Sequence, residues 1–233
     1  MELNILYEDK EILVAEKPVG MESQSARSFE PDMVSEVKKH INSLSPKSGE
    51  PYVGVIHRLD KPVGGVMVYA KTKGGAESLS RQVSQHQMEK IYYAVVCGKP
   101  VDNFGACVDY LWKDGKTNCS KIVDKGIKGA KLAELHYQVV DNRNIGNEEC
   151  SLVKIILKTG RHHQIRVQMA GRGTPLWGDR KYNPRFQKGI DGGNVALFAS
   201  SLSFSHPTTK KRLTFSVKPK GEVFEMFPLP EMV

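Results

Sequence analysis

With 233 residues, of which 39% are apolar and 26% charged, the chain can bury its own core and reads as a soluble globular protein. It holds no run of about 18 apolar residues and no basic, apolar-cored leader, so neither a membrane span nor a secretion signal is expected, and the expected location is cytoplasmic. A formal net charge of +8 favours a polyanionic partner such as nucleic acid.

In chain order, residues 3–7 and 11–16 alternate with turn-like acids and predict a pair of short strands, ended by Pro18 and Gly20. Met33, Val34, Val37, Ile41 and Leu44 recur at helical spacing and predict a helix over 32–44, followed by a loop at 43–51. YVGVI at 52–56 and GVMVYAK at 65–71 predict two strands joined through KPVGG. Residues 73–87 predict a helix with Ala76, Leu79 and Val83 inward and Thr72 as its cap. KIYYAVVCG is a strongly β-prone run. Residues 100–130, rich in Gly, Lys and Asp, predict an irregular insertion. LAELHYQVV and CSLVKIILK predict strands around the loop DNRNIGNEE. RHHQIRVQMAG predicts a short helix closed by Gly171, and VALFAS and RLTFSV predict two last strands around HPTTKK. Strands outnumber helices and follow one another through short turns, which argues for an α+β fold with largely antiparallel sheet. No repeat or linker marks a boundary, so residues 1–233 are treated as one catalytic domain.

Three segments carry candidate chemistry. His57-Arg58-Leu59-Asp60 ends a predicted strand, where a carboxylate is well placed for a cleft and His57 and Arg58 for phosphate; taken alone, Asp60 reads as well as a turn residue. In Lys90-Ile91-Tyr92-Tyr93-Ala94, alternation puts one tyrosine where it can stack on a base, and core packing is the plainer reading. In Thr159-Gly160-Arg161-His162-His163-Gln164-Ile165-Arg166, helical spacing puts His162 and Arg166 on one face, with Arg166 placed to pair with a carboxylate. Cys97, Cys107, Cys119 and Cys150 form no C-x-x-C pair and the seven histidines lack zinc-site spacing, so free thiols and no metal are expected.

The order of these segments resembles the RluA-type family of RNA pseudouridine synthases. The resemblance runs through ILYEDKEILVAEKPVGM, HRLDKPVGGVMVYAKT, EKIYYAVVCGKP, LKTGRHHQIRVQMA, PLWGDRKYN and VALFASSLSFSHP, leaving out about residues 22–50 and 100–145. It implies the pseudouridine synthase-like fold, an antiparallel sheet core with flanking helices and a basic cleft. It places the catalytic aspartate on Asp60, the cleft tyrosine on Tyr92 by the K-x-Y-x-A spacing, and the basic residue paired with the aspartate on Arg166. His57, Arg58, Arg161, His162, His163 and Gln164 become candidates for binding RNA. The resemblance further implies a minimal form without an accessory RNA-binding domain. Val63-Gly64-Gly65 stands where the family commonly has Thr-Ser-Gly, His162 where it has Thr, and Gln168 where it often has His.

The implied reaction isomerises uridine in ribosomal or transfer RNA by detaching uracil, rotating it and rejoining it through carbon. Atoms balance, so no cofactor is expected. The carboxylate acts as a nucleophile at the anomeric carbon or in abstracting a sugar proton, and the target base must leave its stack. Two other classes compete: a non-catalytic RNA-binding or RNA-folding factor, which would not need Asp60, Tyr92 and Arg166 together, and a nucleoside glycosidase, which commonly uses two carboxyl groups.

Overall fold

A computed structural model describes residues 3–25, 30–44, 49–187, 193–229 and 231. They fall into two compact units, one made of the described residues up to 89 and of 199–217, the other of those within 90–198 and 218–231. The loop expected at 43–51 lies partly outside the described residues.

In the first unit, β1 (Asn4–Glu8) and β2 (Ile12–Lys17) form an antiparallel hairpin, with Asp9 Oδ1 accepting the backbone N–H of Glu11 and Ile12 at its turn. β2 pairs antiparallel with β4 (Gly64–Ala70), and every residue of both is buried, the charged Glu16 and Lys17 at the end of β2 included. β3 is only Gly54–Val55, laid against Ala70 and Tyr69 of β4. The strand expected at 52–56 is thus shorter than its β-propensity suggests, because it adds to β4 beside the main path of the sheet. β10 (Leu197–Ser205) and β11 (Arg212–Ser216) complete the strand set, with the antiparallel partners Ser201–Ser216 through Ser205–Arg212.

α1 (Met33–Leu44) buries Met33 and Val37. α2 (Lys73–Ser84) starts at Thr72, whose hydroxyl accepts the Gly75 N–H at 3.0 Å, the expected cap. Leu79 is fully buried in a cluster with Ile12, Val14, Val66, Val68, Leu202 and Phe204, against which Ala76 and Val83 also pack; burying such a leucine contributes about 1.5–3 kcal/mol. Gly65 has φ +131°, and a Cβ there would lie 2.2 Å from the Ala199 carbonyl oxygen, so only glycine lets β4 and β10 approach this closely.

In the second unit, β5 (Glu89–Cys97) pairs with β9 (Glu148–Leu157), β9 with β8 (Lys131–Ile145), β8 with β6 (Phe104–Asp114) and β6 with β7 (Cys119–Val123), all antiparallel. The expected irregular insertion at 100–130 is therefore largely a regular hairpin. Its composition misleads because many of the Gly, Lys and Asp residues lie in the turn at 115–118 and in 124–130, whereas the strands themselves, FGACVDYLWKD and CSKIV, are mostly apolar. β8 and β9 likewise run closer together than the loop DNRNIGNEE suggested, turning at Gly146 with φ +61°.

α3 is Gln164–Ala170, starting three residues after the expected Arg161. Gly171 does follow it, but in right-handed rather than left-handed conformation (φ −63°). A Cβ at Gly171 would lie 2.5 Å from Ile122 Cδ1 of β7, the far end of an exposed side chain that can turn aside. Two single-turn helices, α4 (Pro184–Gln187) and α5 (Glu222–Glu225), bury Phe186 and Phe224. None of the described helices is long and apolar enough to cross a membrane.

Candidate active site

His57, Arg58, Leu59 and Asp60 follow β3 as an irregular segment fixed from several sides within the first unit. The Leu59 side chain is buried. Ser23 clasps its backbone twice, accepting the Leu59 N–H at 2.9 Å and donating to the Leu59 carbonyl at 2.8 Å. His57 Nε2 accepts the Val68 N–H of β4 at 3.3 Å, which leaves the proton of the neutral ring on Nδ1. Arg58 is exposed and Asp60 half-buried. The Asp60 carbonyl accepts the Val63 N–H at 2.9 Å, closing the turn that KPVGG predicted.

Lys17, at the end of β2, is wholly buried beneath this turn. Its ammonium donates to the carbonyls of Pro18, Met21 and Lys61 at 2.9, 2.5 and 3.1 Å. Burial pulls its pKa down to about 8, against the attraction of Asp60 and then Glu22. A cation thus sits under the segment that carries Asp60 and holds the carbonyl of the very next residue. Its apolar surroundings and the neighbouring Pro18 gave no sign in the sequence of such a role.

In the second unit, β5 carries Tyr92 and Tyr93, both buried, so burial does not separate the two as strand alternation suggested it would. Burial raises the pKa of Tyr93 and lowers that of Lys90 at the start of the strand.

Arg161 donates through Nε to the Leu132 carbonyl at 2.8 Å. His162 and His163 stack with centroids 3.7 Å apart. His163 is the residue before α3, in left-handed conformation (φ 52°), so His162 and Arg166 do not share a helix face: the helix begins after both histidines. Gln164 is buried. Its Oε1 accepts from Thr159 Oγ1 and from the Arg161 N–H, and its Nε2 donates to the Glu134 carbonyl.

Arg166 is buried on α3 and forms a fork with Asp179, Nε to Oδ2 and Nη2 to Oδ1, both at 2.7 Å. Asp179 is fully buried. The Tyr182 ring lies under the guanidinium, 5.3 Å from Cζ to centroid. The Tyr182 hydroxyl accepts the Ser120 N–H of β7 at 2.7 Å and meets His163 Nδ1 at 2.8 Å. Burial pushes its pKa up to about 12, so it stays protonated and its hydrogen is available to His163. The Ser120 hydroxyl donates to the His162 carbonyl at 2.7 Å. Asp179 and Tyr182 lie in the PLWGDRKYN segment, but no spacing rule linked them to Arg166.

Among the described residues one group has metal-ligand geometry, Cys97, Glu148 and Cys150, with donor atoms within 4.8 Å of one another. Strand register explains it: Cys97 and Cys150 are direct partners on β5 and β9, and Glu148 lies on the same face two residues before Cys150. Sequence spacing hid it because the cysteines are remote in the chain. Each flank already has a partner, since Glu148 forms an ion pair with Arg185 and Asn183 Nδ2 approaches Cys97 Sγ at 3.4 Å.

Residues 11–171 match the RNA pseudouridylate synthase family over more than half of the chain. The chain belongs to that family. It is 35% identical over 232 residues to the uncharacterised RNA pseudouridine synthase YlyB of Bacillus subtilis, covering 99% of this chain and 70% of the relative. It is 32% identical to ribosomal large subunit pseudouridine synthase D of Neisseria meningitidis serogroup B, covering 97% of this chain and 60% of that one. The structure of human RNA pseudouridylate synthase domain containing 4 superposes with a TM-score of 0.74 at 23% identity, covering 93% of this chain and 88% of that one, a likeness of fold. The RluA-type resemblance and the α+β, mainly antiparallel fold therefore hold, and the synthase is an isomerase that converts uridine to pseudouridine in RNA.

Proposed function

We propose that the synthase isomerises particular uridines of large-subunit ribosomal RNA, with Asp60 as its catalytic carboxylate. The observation that carries the assignment of Asp60 is its setting. It is a half-buried carboxylate on a segment clasped by Ser23 and His57 and underlain by the buried ammonium of Lys17. Such a setting keeps a carboxylate in one place with one face open to a substrate, which a positioned nucleophile or base needs. Support for ribosomal RNA comes from the relative named for the large ribosomal subunit.

In this reading Asp60 attacks the anomeric carbon or helps abstract a sugar proton. Tyr92 stacks on the extruded uracil, and its hydroxyl takes part in the proton removal that follows rejoining. Arg166 supplies the fixed positive charge that favours the reacting anion. Arg58, the exposed cation of the segment, holds a phosphate or fills the gap left by the flipped base. Neither a metal nor an organic cofactor enters the chemistry.

The test is tritium release from RNA labelled at carbon 5 of uracil, run beside a filter-binding titration. Asp60→Asn is expected to abolish release while RNA affinity changes by less than about threefold, since one neutralised carboxylate leaves the phosphate contacts in place. Near-normal turnover by the variant would remove Asp60 from catalysis. Mapping pseudouridines across total RNA, with and without the gene, tests the substrate, and a loss confined to transfer RNA would replace ribosomal RNA in the proposal.

A further inference from the structure

We infer that Asp179 and Tyr182 are positioning residues that set the orientation of the Arg166 guanidinium for the reaction. The inference rests on the reading of Arg166 as a member of the catalytic set. Its own content is the clamp within the second unit.

The geometry is over-determined for a simple ion pair. Asp179 takes one whole edge of the guanidinium, Nε and Nη2 together, which fixes the plane of the group as a single contact cannot. Asp179 is held in turn: its Oδ1 accepts the backbone N–H of Lys181 at 2.9 Å and of Tyr182 at 3.2 Å, and its backbone carbonyl accepts the Asn183 N–H at 3.0 Å. The same turn delivers the Tyr182 ring to one face of the guanidinium. The hydroxyl of that ring is then tied to Ser120 on β7 and to His163 just before α3. The edge and one face of Arg166 are thus set by a turn, a strand and a helix start at once.

Stability alone is a weak reason for this arrangement. Burying two opposite charges costs about as much desolvation as their attraction returns, and well-packed apolar residues of similar volume are often as stable. What a fork-to-fork pair adds is angular definition. A guanidinium that serves a reacting centre needs that definition, because a displacement of about 1 Å can cost about 100-fold in rate.

The experiment measures single-turnover rates at saturating RNA, together with RNA affinity, for Asp179→Asn, Asp179→Glu, Tyr182→Phe, Arg166→Lys and the Arg166→Lys/Asp179→Asn double variant. Asp179→Asn offers one acceptor where the fork needs two, so the chemical step is expected to slow by about 10- to 100-fold with RNA affinity nearly unchanged. Asp179→Glu keeps two acceptors and should recover part of the rate. Tyr182→Phe keeps the ring but loses both hydroxyl contacts, and a smaller loss, about 3- to 10-fold, is expected. Lysine has no fork to orient, so in the Arg166→Lys background the further loss from Asp179→Asn should shrink to within about threefold. The inference is overturned if Asp179→Asn turns over at the wild-type rate, or if it slows the chemistry equally in both backgrounds. If Asp179→Asn does not fold, Asp179→Glu and Tyr182→Phe decide, and wild-type rates in both overturn it. Should Arg166→Lys itself react at the wild-type rate, the catalytic reading of Arg166 fails, and that result is distinct from a failure of the clamp.

Discussion

Replacing Lys17 by Met tests the idea that a buried cation underlies the Asp60 segment. The substitution removes a charge whose pKa has dropped from the ordinary 10.5 to about 8, a drop worth about 3 kcal/mol. It also strips donors from the carbonyls of Pro18, Met21 and Lys61, at about 1–2 kcal/mol each, or about 3–6 kcal/mol together. The two effects oppose, so the net destabilisation at pH 7 is expected to be only about 0–3 kcal/mol. The pH dependence separates them. Between pH 8 and 10.5 the unfolded chain holds the Lys17 proton and the native protein has released it, so this group makes stability rise with pH across that window. Relative to Lys17→Met, the wild type should therefore gain about 3 kcal/mol from pH 7.5 to 10.5. Urea unfolding of both proteins at several pH values, taken as a difference, cancels the tyrosines, cysteines and other lysines that titrate in the same range. A difference that stays flat with pH would refute the reasoning. Because the Lys17 ammonium attracts Asp60, the wild-type chemical rate should also decline above about pH 8 while RNA remains bound.

The other expectations are simpler. Gly65→Ala must place a methyl group 2.2 Å from the Ala199 carbonyl oxygen at a φ of +131°, and a loss above about 4 kcal/mol is expected, read as failure to accumulate folded protein or a collapse of the urea midpoint. A midpoint within about 1 kcal/mol of wild type would show that β4 and β10 can separate freely. Exhaustive chelation is expected to leave the single-turnover rate on pre-folded RNA unchanged. Cys97 is five residues from Tyr92 along β5, about 16 Å, and Glu148 is engaged by Arg185, so an ion bound there would not reach the Tyr92 side chain. Loss of activity restored by zinc would contradict this.

Much of the molecule follows from local pattern. The apolar runs of β2 and β4 and the helices of α1 and α2 were legible because each buries a face whose residue pattern matches its geometry, and Thr72 caps α2 through chemistry confined to four residues. The order of HRLD, K-x-Y-x-A and G-R-x-H-Q-I-R identified the family, since chain order and residue type are properties of sequence alone. What the sequence did not determine is where buried charge is compensated. Helical spacing placed Arg166 to pair with a carboxylate but could not name Asp179, thirteen residues away, nor the Glu134 carbonyl and Thr159 hydroxyl that satisfy the buried Gln164. Composition likewise read residues 100–130 as irregular, because it averaged the Gly, Lys and Asp of the connections with the apolar FGACVDYLW that pairs with β8. Periodicity records which face of an element is buried, but the partner of a buried polar group is chosen by strand register and turn geometry across the fold. For that reason the clamp around Arg166, the cation beneath Asp60 and the facing pair Cys97 and Cys150 belong to the tertiary structure alone.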